Sequence, residues 1–208
     1  MILIIIIKMD PMPQLPYQIS FLALCLALFA IRMYWHLRAK VLEKGIDEPS
    51  EGRSVPIIRW LVLPVWSGLI LMWLFAPSIL PWLQLPLPPV LRWGGAALAA
   101  AGLLLLHHVH VALDRQFSPK LRIVTDHRLI QHGPYRYIRH PMYTSFLLLI
   151  FGLFLLSAHL LLGLTGLGMI ATVLWTRTPR EEAMLLRHFG KDYADYQQRT
   201  GRLLPRWW

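Results

Sequence analysis

Apolar residues run in long blocks along this chain, and the polar residues gather between them. Residues 17–35 form the first block that can cross a bilayer. It closes on Arg32, Tyr34 and Trp35, the basic and aromatic pattern of a helix leaving lipid. Residues 57–80 form a second, with Pro64 and Pro77 as kinks or ends. Residues 90–113 form a third, rich in Ala and Gly. The apolar run 142–176 is too long for one crossing and just sufficient for two short ones. Ser157-Ala158-His159 marks the turn, which gives spans 142–157 and 160–176. Residues 178–199 place Leu185, Leu186, Phe189, Tyr193 and Tyr196 at helical spacing, with Gly190 ending a first helix. This reads as an amphipathic helix lying on the membrane. The run 1–9 is apolar but too short to span, and no small-residue cleavage site follows it.

The predicted fold class is therefore all-α. It is a single polytopic membrane domain over 1–208 with about five transmembrane helices, the last two a hairpin, and a C-terminal amphipathic helix. Composition agrees, with 56 % hydrophobic residues, 15 % charged residues and nine Trp. A soluble chain with a net charge of +10 would suggest a nucleic-acid partner. Here the basic residues crowd the first loop, the third loop and the C-terminus, so they encode topology instead. Five spans with the N-terminus outside put all three basic segments on the cytoplasmic side, and no nucleic acid is expected. The lone Cys25 allows neither an internal disulfide nor a cysteine metal site.

The longest polar and aromatic stretch is 126–143, D-H-R-L-I-Q-H-G-P-Y-R-Y-I-R-H-P-M-Y. Gly133-Pro134 signals a turn. Pro141 restricts His140 and opens the following helix. His140 thus sits at a helix N-terminus, which favours an anionic ligand group. Tyr135, Tyr137 and Tyr143 offer flat faces to a cation or an adenine. A basic aromatic loop that only anchors the chain among headgroups has the same composition.

The run T-R-T-P-R-E-E, 176–182, carries Arg177 where the last span ends and Glu181-Glu182 within one turn. Thr178-x-x-Glu181 with Pro179 fits a capping box that starts a new helix. The alternative is a site in which one Glu holds a ligand ammonium and Arg177 holds a substrate anion. His107-His108-x-His110 supplies two ligands on one face, too few for a metal site, and no metal is expected. Gly163-x-x-Gly166-x-Gly168 has the wrong order for a dinucleotide loop and reads as close helix packing.

With these residues in order (H-x-L-I-x-x-G-x-Y-x-x-x-R-H-P-x-Y from His127 to Tyr143, then R-x-x-x-E-E from Arg177, then F-G-x-x-Y-x-x-Y from Phe189), the C-terminal part resembles the isoprenylcysteine carboxyl methyltransferase family and its phospholipid-methyltransferase relatives. The resemblance implies an S-adenosylmethionine-dependent methyltransferase embedded in the membrane, without a Rossmann domain. It implies a cofactor region at 120–143 and 177–205. His127, Arg128, Leu129 and Ile130 would line the cofactor, and Tyr135 would pack on it. His140 and Pro141 would start the covering helix, Leu148 and Phe151 would give an apolar wall, and Glu181 would take the ammonium. Arg177 would be the catalytic residue that positions the substrate. The implied partners are membrane lipids and a lipid-like or small methyl acceptor: a prenylated-cysteine carboxylate, an amine or a thiol. A membrane NADPH-dependent reductase of the sterol-reductase kind has a similar H-P-x-Y pattern, and a non-catalytic lipid-binding scaffold is the third reading.

Overall fold

The computed structural model describes residues 14–41, 45–47, 63–77, 79–114, 122–124 and 128–206. The N-terminal run 1–9, His127 and much of the first and third polar loops lie outside the described residues. The helices are α1 (Leu15–Val41), α2 (Leu63–Phe75), α3 (Pro89–Leu113), α4 (Pro141–Ser157), α5 (Leu160–Phe189) and α6 (Lys191–Arg199). α1, α3 and α5 are long and apolar enough to cross a bilayer, and α2 and α4 are shorter apolar helices. Outward-facing Phe75, Leu104, Leu164 and Trp175 are exposed, as lipid-facing side chains are. The helical expectation holds apart from one short ribbon. β1 (Gly45–Asp47) pairs antiparallel with β2 (Arg122–Val124), which ties the first polar loop to the third.

The core lies between α3 and α4, the most extensively packed pair. A Cβ on Gly95 would come within 2.6 Å of the Gly152 carbonyl oxygen, and one on Gly152 within 2.5 Å of the Ala99 nitrogen. Only hydrogen fits there, because the obstacles are backbone atoms that cannot turn aside. Without a hydrophobic drive between helices in lipid, such backbone approach is what packing relies on. α5 uses the same device less uniformly. Gly163 faces the Phe154 ring and Gly166 meets Trp66, but a Cβ on Gly168 would meet open space.

The predicted turn between the last two apolar helices is present. Ala158 takes a left-handed conformation at φ 53° and closes α4, and His159 caps α5 by accepting from the Leu162 N–H. Arg92 holds this turn from α3. It is 4 % exposed, and its Nε donates to the Leu156 carbonyl at 3.0 Å. Its Nη2 donates to Gln14 Oε1 at 2.9 Å, and its guanidinium lies 3.5 Å from the Tyr17 ring centroid. Gln84 Nε2 donates to the neighbouring Ser157 carbonyl at 2.8 Å. A guanidinium here satisfies the last carbonyls of α4 where lipid supplies no donor. Arg92→Met is expected to cost about 2–3 kcal/mol through the lost charged hydrogen bonds. Thermal unfolding of the detergent-solubilised protein measures this, and an unchanged midpoint would contradict the role.

At the other end of α5 the structure corrects the sequence reading. Thr178 does not cap a new helix. α5 runs unbroken to Phe189 with Pro179 inside it. Pro179 removes one backbone hydrogen bond, but Thr178 and Met184 are buried, and Glu181 and Glu182 are bonded to α4 and the segment before it. These tertiary contacts outweigh the proline and keep the helix growing. Gly190, at φ +52°, then ends it as expected.

Candidate active site

The site grows from the start of α4. Gly133, at φ +58°, opens a single 3-10 turn over Gly133–Arg136. The chain then runs extended and pairs with the C-terminal tail. The Arg139 N–H donates to the Gly201 carbonyl at 2.8 Å, the His140 N–H to the Arg202 carbonyl at 3.1 Å, and the Gly201 N–H to the Tyr137 carbonyl at 3.2 Å. Pro141 follows as the first helical residue. One turn in, Thr144 Oγ1 donates to the Leu203 carbonyl at 2.7 Å.

Onto this frame α5 brings its two glutamates. Glu182 collects three donors. Arg139 Nε reaches Oε1 at 3.2 Å, His140 Nε2 reaches Oε1 at 3.1 Å, and Arg202 Nη2 reaches Oε2 at 2.9 Å. Its side chain is 14 % exposed. Arg139 Nη1 also donates to the carbonyls of Gln197 and Thr200, so one guanidinium clamps α5 to the end of α6. Glu181 has a different neighbour: the Tyr143 hydroxyl donates to its Oε2 at 2.9 Å. Arg177 lies four residues earlier on α5, hence on the same face as Glu181. It lies within electrostatic reach of Tyr143.

Two tyrosines fix the turn. The Tyr196 hydroxyl donates to the Tyr135 carbonyl at 2.7 Å. Burial pushes the Tyr196 phenol up to about 12 against the opposing pull of Arg139. Burial, and then the charge of Glu181, likewise raises Tyr135. Both remain protonated donors across the physiological range. Tyr193, 1 % exposed, is raised by burial and by Glu182, and its hydroxyl has no hydrogen-bond partner among the described residues.

Of the residues singled out from sequence, Tyr135, His140, Pro141, Arg177 and Glu181 are brought together. Arg128 is exposed, and Leu129 and Ile130 are half-buried, on the irregular segment that leads into the turn. Arg199 tethers that segment to α6 through Gln131 Oε1 at 3.2 Å. Leu148 and Phe151 lie about 10 and 15 Å along α4 from Pro141. There Leu148 packs beside Gly102 of α3, and Phe151 is exposed, edge-on to Phe154. Sequence reasoning gave Arg139, Glu182 and Arg202 no role of their own, and offered Tyr143 as a flat face rather than as the donor to Glu181. The available signal was charge matching, with two arginines and a histidine in the motifs against the second glutamate.

The arrangement is a carboxylate held by a phenol, a cation one turn away, and a rigid ionic frame beneath them. It suits a ligand with an ammonium and a substrate with an anionic group. Residues 95–187 match the model of the isoprenylcysteine carboxyl methyltransferase family. This segment, just under half of the chain, is similar to that family. It is 35 % identical over 101 residues to a probable protein-S-isoprenylcysteine O-methyltransferase of Oryza sativa subsp. indica, covering 46 % of this chain and 51 % of the relative. It is 28 % identical over 117 residues to protein-S-isoprenylcysteine O-methyltransferase B of Arabidopsis thaliana, covering 53 % and 57 %. The match to the protein-S-isoprenylcysteine O-methyltransferase of Tribolium castaneum is 33 % over 85 residues, covering 39 % and 29 %. The chain thus spans about half the length of the first curated relatives it matches. The structure of a eukaryotic intramembrane Ras methyltransferase, an isoprenylcysteine carboxyl methyltransferase, superposes with a TM-score of 0.60 at 19 % identity, covering 96 % of this chain and 70 % of the other. The two share the fold, and the family segment contains α4 and most of α5. The chain is an integral membrane protein of that architecture.

Proposed function

We propose that this protein transfers the methyl group of S-adenosylmethionine to an anionic acceptor at the end of the bundle where α4 begins. The acceptor class is the carboxylate of a prenylated cysteine, as the names of the relatives suggest. The whole chain acts as one membrane unit, with the cofactor region at 120–143 and 177–205. The loop charges favour a site that faces the cytoplasm.

The observation that carries the proposal is the contact of Tyr143 with Glu181, with Arg177 on the same helix face. The residues present fit the cofactor. Glu181 is an anion positioned for its ammonium, and Tyr135 and Tyr143 are aromatic faces near that carboxylate. The buried, unpartnered Tyr193 hydroxyl is a donor of the kind a polar guest satisfies. When bound, the cofactor supplies a sulfonium-activated methyl group.

The chain's own contribution is placement. Arg177 would hold the acceptor carboxylate by a charge-assisted pair and fix its direction of approach. Methyl transfer to a carboxylate oxygen would form the C–O bond as the methyl–sulfur bond breaks, leaving a neutral thioether. No proton moves, so no general base is required, and the acceleration comes from proximity and orientation. The test is a labelled-methyl transfer assay with a prenylcysteine analogue, phosphatidylethanolamine and a small thiol. Ester formation on the prenylcysteine is the expected result. Absence of S-adenosylmethionine binding alongside saturable NADPH binding would overturn the proposal in favour of a reductase.

A further inference from the structure

Next to the Glu182 frame, the C-terminal tail folds a second hollow that the methyl-transfer chemistry does not use. A surface cleft of about 360 Å³ is lined by Arg139, Gln197, Thr200, Arg202, Leu204 and Arg206, together with Gly201 and Pro205. None of these described lining residues is acidic. Arg139 and Arg202 share a single carboxylate, that of Glu182.

Two of these guanidiniums are held in place. Arg139 uses Nε and Nη1 on Glu182 and on the carbonyls of Gln197 and Thr200. Arg202 uses Nε and Nη2 on Glu182. Each keeps a second Nη that takes no acceptor among the described residues. Guanidiniums with fixed planes bind oxyanions bidentately at little entropic cost. Arg206, which donates through Nη1 to the Gln198 carbonyl, brings a third guanidinium to the same cleft, and the convergence suits the several oxygens of a phosphate. The surroundings indicate its source. Leu204 is 70 % exposed beside the arginines, and the sequence continues Pro205-Arg206-Trp207-Trp208. Basic residues and tryptophans mixed in this way belong to the level of lipid headgroups.

We infer that this cleft binds the phosphate of an anionic membrane lipid and seats the tail on the bilayer. The full chain, in a neutral detergent, is titrated with short-chain phosphatidylglycerol, with the matching phosphatidylcholine and with inorganic phosphate, and binding is read by calorimetry. Phosphatidylglycerol is expected to fill one saturable site and phosphatidylcholine to bind far more weakly. Arg206→Gln weakens the phosphatidylglycerol site about tenfold, the scale of one charged hydrogen bond, and Arg206→Lys recovers part of the loss. Arg199→Gln removes another exposed charge of the C-terminal region, outside the cleft, and leaves phosphatidylglycerol binding unchanged. If inorganic phosphate binds with the same Arg206 dependence and phosphatidylglycerol does not bind, the lipid source is overturned. Equal losses for Arg206→Gln and Arg199→Gln, or no loss for either, overturn the site itself.

Discussion

Glu182→Gln is expected to destabilise the folded protein by about 3 kcal/mol, the low end for breaking a buried ion pair. Glutamine keeps the shape and one acceptor oxygen. It removes the charge on which Arg139, His140 and Arg202 converge. Two guanidiniums and an imidazole would then face one another with no anion between them. Arg139 also joins the end of α6 to this point, so the loss reaches the pairing of the tail with residues 137–140. A lowered unfolding midpoint in detergent, with proteolysis beginning in the tail, is the expected observation. Wild-type stability in this variant would show that the three donors find other partners.

Glu181→Gln separates binding from stability. The substituted amide can still accept from the Tyr143 hydroxyl, so the fold is expected to survive. What is lost is the anion proposed for the cofactor ammonium. A charged hydrogen bond in a dry site contributes about 1.5–3 kcal/mol, so S-adenosylmethionine affinity is expected to fall roughly 10- to 150-fold. Calorimetry at matched folded fraction measures it. If Glu182→Gln reduced affinity as much at equal stability, the two carboxylates would have been assigned the wrong roles.

The spans were legible because lipid imposes a simple rule: long apolar blocks become helices, and charged residues stay out. The turn at 157–159 was legible for the same reason. The path of α5 was not. Thr178, Pro179 and Glu181 carry the local chemistry of a helix start, and only the contacts of Glu181 and Glu182 with residues about forty positions earlier decide otherwise. A proline inside a helix costs about 3 kcal/mol, and the network of tertiary bonds exceeds it. The ribbon between the first and third loops escaped notice because three-residue strands have no periodicity to read.

The site was half legible. His140-Pro141 and the Arg177/Glu181 spacing stand out as pattern. Glu182, by contrast, had no role of its own in the sequence pattern and is the anion under the whole frame. Arg92 shows the same limit. In sequence it is one more basic residue at a span end, whereas in the structure it caps α4 from inside the bundle.

The pairing of residues 137–140 with 201–202 also sets an order of assembly during synthesis. The first partner leaves the ribosome some sixty residues before the second, and the whole α4–α5 hairpin lies between them. A nascent chain halted after α5 would have its helices inserted, with Arg139 and His140 still lacking their backbone acceptors. Integration into the membrane and completion of the pocket are therefore separate events, and a chain arrested between them could not yet act on anything around it.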